Sequence, residues 1–140
     1  MTNADFYIAF EGTPARYAAL ARFFDRLRSA KAAADSDAEM DLDTVVGDPA
    51  WVDLLDADAI EAMCAPAGWR LEDLLECILG GDYELVGLTF DGRAGRLVYY
   101  PRGYPFGGTG PLIGLVEAFG LEVTRNSYWD GFAEWLQRRG

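Results

Sequence analysis

The stretch Glu84 to Thr124, ELVGLTFDGRAGRLVYYPRGYPFGGTGPLIGLVEAFGLEVT, decides how this chain is read. Val86, Leu88 and Phe90 alternate with Gly87 and Thr89, which predicts a strand with one apolar face. Asp91-Gly92 opens a turn that ends near Gly95, and RLVYYP is the return strand, ended or marked as an edge by Pro101. The glycine-rich loop RGYPFGGTG, Arg102 to Gly110, then leads through Pro111 into a helical stripe of Leu112, Leu115, Val116 and Phe119. Gly120 signals the end of that helix, and Leu121 to Thr124 make a further strand.

Upstream, Asp5 to Phe10 (DFYIAF) is a short aromatic-rich run of the kind that forms a buried strand. Thr13 is placed to cap a helix that Pro14 begins, and Tyr17, Leu20, Phe24 and Leu27 recur as one apolar stripe along it. Arg16, Arg22, Arg26 and Arg28 on the same helix point mostly to solvent, and the helix frays through the alanines after Lys31. At the other end, Ser127 with Asp130 has the form of a capping box for a last helix carrying Phe132, Trp135 and Leu136. Arg138 and Arg139 would complement its dipole.

Between these parts lies a segment of different character. Residues 35–43, DSDAEMDLD, hold five acids and no base and read as a solvated loop. A calcium loop needs glycine at its sixth position and a closing glutamate, and neither is in place. Asp48-Pro49 opens a short helix with Trp51, Leu54 and Leu55; Asp56 or Asp58 opens another with Ile60 and Met63. Leu71, Leu74, Leu75 and Ile78 make a third, stopped by Gly80-Gly81. With this segment (about 35–82) and the C-terminal helix set aside, the order is βαββαβ. That is the ferredoxin-like pattern, an α+β fold with one antiparallel sheet. The expectation is one domain, 1–140, with an acidic helical insertion.

Charge follows the same division. Residues 1–34 carry five bases and three acids, residues 92–140 six bases and four acids, and residues 35–91 sixteen acids and one base, Arg70. The whole net charge of −11 therefore comes from the middle third. Nucleic acid is an unfitting partner, because a phosphate backbone requires a basic footprint. No apolar run approaches the roughly 18–20 residues that span a bilayer. The start, MTNADFYIAFEG, lacks the basic region of a signal peptide, so the expected setting is the cytoplasm, with no membrane association.

The chain has no histidine, which removes Ser-His-Asp and Cys-His catalysis and histidine zinc sites. Cys64 and Cys77 lack metal-type spacing and read as reduced, core or half-buried thiols. Glu72 and Glu76 share a helix face, but a pair of acids at that spacing is ordinary on solvated helices. No cofactor and no metal are expected.

Two functions from different classes remain. The first is a non-enzymatic binding protein that neutralises or regulates a basic protein, in the manner of an immunity protein or antitoxin-like inhibitor held against a cationic toxin domain. Its candidate contacts are the carboxylates of Asp35, Asp37, Asp41, Asp43, Asp48, Asp53, Asp56 and Asp58, with Trp51, Tyr104 and Phe106 as aromatic anchors. The alternative is a small-anion site or enzyme built on Arg102, Gly107, Gly108, Thr109 and Gly110 before a helix N-terminus. That loop has neither the lysine of a P-loop nor the GxGxxG spacing.

Overall fold

A computed structural model of the chain describes residues 6–37, 39–64, 70–81, 83–101 and 110–126. Within them the elements run β1 (Phe6–Glu11), α1 (Pro14–Ser36), α2 (Leu42–Val46), α3 (Ala50–Asp53), α4 (Ala57–Cys64), α5 (Leu71–Leu79), β2 (Tyr83–Phe90), β3 (Ala94–Pro101), α6 (Gly110–Ala118) and β4 (Glu122–Asn126). The fold is α+β. Four strands form one antiparallel sheet in the order β2-β3-β1-β4, so β1 is paired on both sides. The expected C-terminal helix lies outside the described residues.

Local signals placed most of the boundaries. Thr13 Oγ1 accepts from the Arg16 amide at 3.3 Å and Pro14 begins α1. The β2–β3 turn is held by Asp91, whose Oδ1 accepts from the amides of Arg93 (2.9 Å) and Ala94 (2.8 Å). Gly92, at φ +104°, takes the left-handed position that side chains resist. Gly120 does the same at φ +78° after α6, where the Arg16 guanidinium also donates to its carbonyl at 3.0 Å.

Tertiary contacts overrode local reading in three places. The strand pattern Val86-Leu88-Phe90 holds for Leu88 and Phe90, which pack against the core, but not for Val86, because the β2–β3 register shifts between Leu85 and Gly87. The bulge turns Tyr83 and Leu85 inward ahead of it and leaves Val86 37% exposed. Helix α1 does not fray after Lys31 but continues to Ser36. Among the described residues the acidic segment holds four helices, not two or three, since α2 starts within the expected loop.

The core lies on one side of the sheet. Ile8, Phe10, Tyr83, Leu85, Leu97 and Tyr99 are buried there against Leu20, Phe23, Phe24 and Leu27 of α1 and Leu112, Leu115 and Val116 of α6. Helix α1 packs over β2, and α6 over β1 and β4. The acidic segment is not a detached linker. Helix α5 packs on α1, α2 and α6, α4 packs on α6, and Trp51, Ala59, Met63, Leu74, Leu75 and Ile78 join the same buried cluster.

Lys31 explains the length of α1. It is 1% exposed, and its ammonium donates to Gly81 O at 2.8 Å, Asp35 Oδ1 at 3.3 Å and Leu79 O at 3.4 Å. It also stands 5.1 Å from the centre of the Tyr83 ring. Keeping residues 32–36 helical is what brings Asp35 back to the amine, four residues on. Burial, with Cys77, Tyr99 and Asp35 adding negative charge nearby, pushes the Tyr83 hydroxyl well above the ordinary tyrosine range. That hydroxyl is buried and finds no hydrogen-bond partner among the described residues.

Two outcomes are expected. Lys31→Met strips a buried carbonyl, a half-buried carbonyl and a carboxylate of their donor, and should lower the unfolding free energy by about 3 kcal/mol in urea denaturation. Asp91 is held below the ordinary carboxylate range by the Ala94 and Arg93 amides. Its contribution is therefore complete above that range and fades as pH falls through the lower native value. Between about pH 5 and about pH 2, Asp91→Asn should lose less melting temperature than the parent chain.

Candidate functional site

The eight candidate aspartates divide into two groups. Five have local work. Asp35 meets Lys31. Asp37 Oδ1 accepts from the Glu39 amide at 3.0 Å. Asp41 caps α2, accepting from the Asp43 amide at 3.1 Å and the Thr44 hydroxyl at 2.8 Å. Asp48 accepts from the Ala50 amide at 2.9 Å with one oxygen and from Arg26 Nη2 at 2.9 Å with the other. Asp56, rather than Asp58, caps α4, taking the Ala59 amide at 2.7 Å. Asp41, Asp48 and Asp56 satisfy free amides of the kind every helix start presents.

Asp43, Asp53 and Asp58 form the second group. Each is exposed in the first turn of α2, α3 or α4, where the helix dipole favours an anion. None makes a side-chain hydrogen bond or ion pair among the described residues. Glu61, Glu72, Asp73 and Glu76 are exposed in the same manner on α4 and α5. With Glu39, exposed between α1 and α2, eight carboxylates thus face solvent without a counter-charge among the described residues.

Trp51 is not the exposed anchor that its position among acids suggested. It is 1% exposed, its indole N–H donates to Val45 O at 2.8 Å, and its ring lies 5.3 Å from that of Phe23. A large ring with one donor gains more inside, provided that donor is met, and Val45 meets it. Arg26 covers it from outside at 5.3 Å. Ile60 is corrected in the opposite sense. Ala59 and Met63 take the inward face of α4, and Ile60 stands 41% exposed; Val52 on α3 is 50% exposed. Neither was legible as a surface residue, because a four-residue or eight-residue helix gives too few turns to define its apolar stripe.

The remaining sequence candidates are quickly placed. Arg102, Tyr104, Phe106, Gly107, Gly108 and Thr109 lie outside the described residues; Gly110 opens α6 and is exposed. Tyr99 is buried, donating to Asn126 Oδ1 at 3.1 Å, while Tyr100 is exposed. Cys77 is a free, exposed thiol on α5, not a core or half-buried one, because α5 turns Leu74, Leu75 and Ile78 inward. Glu72 and Glu76 are both open to solvent.

A groove of about 420 Å³ runs between the second half of α1 and β2, lined by Arg28, Lys31, Asp35, Ser36 and Glu84 among others. Its lining mixes both charges, and the three donors of Lys31 are matched by the three acceptors already named. Among the described residues no group of three His, Cys, Asp or Glu side chains could hold a metal ion, and no helix is long and apolar enough to cross a membrane.

Comparison of the chain with family models, curated proteins and solved structures finds no match.

The division of the aspartates is measurable. Asp56→Ala should destabilise the fold by about 1 kcal/mol through loss of a cap. Asp58→Ala, two residues away, should stay within about 0.5 kcal/mol of the parent in the same urea titration.

Proposed function

We propose that this chain is a non-enzymatic binding protein that neutralises or regulates a basic protein through the acidic segment, as an immunity protein or antitoxin-like inhibitor does against a cationic toxin domain. The observation that carries this reading is the surplus of charge. The segment engages five aspartates in local contacts and still presents eight further exposed carboxylates, with Arg70 as its only base. Such a field speeds encounter with a cationic surface and repels anions.

The fold supports a scaffold role. The strand order β2-β3-β1-β4, with α1 and α6 on one face, suits the ferredoxin-like pattern with residues 35–82 as the insertion. On this reading the sheet is the platform and the insertion the recognition element. The absence of histidine from the sequence narrows the catalytic alternatives, and a cytoplasmic setting belongs to the same proposal.

The test is capture at low salt with the full chain, followed by reconstitution with the purified partner. A basic protein binding at fixed stoichiometry is expected. The triple variant Asp43→Asn, Asp53→Asn, Asp58→Asn should slow association about tenfold and flatten its salt dependence. An unchanged rate and salt slope would remove the acidic segment from the interface.

A further inference from the structure

The run Val52 to Glu61 combines two exposed apolar side chains with exposed acids and no cation. Val52 and Ile60 are 50% and 41% exposed, while Asp53, Asp58 and Glu61 are exposed beside them. A single exposed valine is unremarkable on any surface. Here two belong to one compact piece of chain. Val52 O accepts from the Leu55 amide at 3.0 Å and Asp56 O from the Ile60 amide at 3.0 Å, so two successive turns fold the run. Their Cα atoms are then at most about 17 Å apart. An interface patch of about 800 Å² is about 30 Å across and would hold both.

We infer that the outer surface of α3 and α4 is the docking face for a protein that presents an apolar side chain ringed by lysines or arginines. The inference rests on the binding reading above and specifies its centre. Apolar centre and polar rim is the usual anatomy of a protein interface. Charge complementarity selects the occupant: Asp53, Asp58 and Glu61 favour a cationic rim. A polycation without an apolar group would leave Val52 and Ile60 in water. A second copy of this chain would set acid against acid.

Two amidated heptapeptides of equal charge separate these contributions, KRLWLRK with an apolar centre and KRSQSRK with a polar one. Titrated into the full chain at low salt, KRLWLRK should bind about tenfold tighter, shifting the methyl resonances of Val52 and Ile60 but not that of Val86. The double variant Val52→Ser, Ile60→Ser should keep its melting temperature, since both side chains are already exposed, and bind the two peptides equally. Equal, salt-dependent binding of both peptides to the parent chain would overturn the apolar centre and leave the acidic reading standing. No binding of either would count against the acidic reading itself. A concentration-dependent dimer broken by the double variant would make the occupant a second copy and overturn the inference.

Discussion

The structure depends on one buried ammonium group. Lys31 Nζ takes Asp35 from its own helix and the carbonyls of Leu79 and Gly81 from the far end of the acidic segment. The last two mark the C-terminal end of α5, where the backbone carries partial negative charge and a cation is favoured. Burying a lysine is unfavourable unless each proton finds an acceptor and a counter-ion stands close, and both conditions are met here. The consequence is topological. The segment departs from α1 at Asp35 and returns into β2 after Gly81, and the same amine holds both points. Its helices are therefore closed at the base like a loop drawn through a clasp.

From that clasp the segment leans on the cationic face of α1. Arg26 binds Asp48 and covers Trp51, so α3 is held by charge outside and by aromatic packing inside. The exposed Arg26–Asp48 pair contributes little stability by itself. Burial of Trp51, Leu74, Leu75 and Ile78 contributes far more. What the charges do is decide which aspartates are occupied. Those at cap positions and near α1 are engaged, and Asp43, Asp53 and Asp58 within the first turns are left over, which is why the binding surface proposed above is a remainder of the folding chemistry.

Much of the fold was readable because its signals are local. Thr13-Pro14, Asp91-Gly92 and Gly120 state their conformations within a few residues, and the stripes in α1, α5 and α6 each carry four apolar positions, enough to define a face. The errors fall where distance in sequence separates cause from effect. Nothing near Lys31 announces carbonyls some fifty residues on. The bulge at Val86 is a property of the β2–β3 pair, not of β2. Trp51 and Ile60 exchanged roles because α3 and α4 are too short for periodicity to speak. The candidate site was legible as a charge, since composition is additive, but not as a set of residues, since capping and burial are pairwise.

The position of β1 at the centre of the sheet bears on how the chain comes together. Its partners are β3 and β4, so Phe6 must meet Tyr99 and Ile8 must meet Asn126, while β2 and β3 are joined by a tight turn. Closing such long loops carries an entropic penalty that a hairpin avoids. Of the four strands, β1 is thus made first but is fully paired only once β4 has been made. FYIAFE, the most aromatic strand of the sheet, waits with both edges open until β3 and then β4 have followed it out.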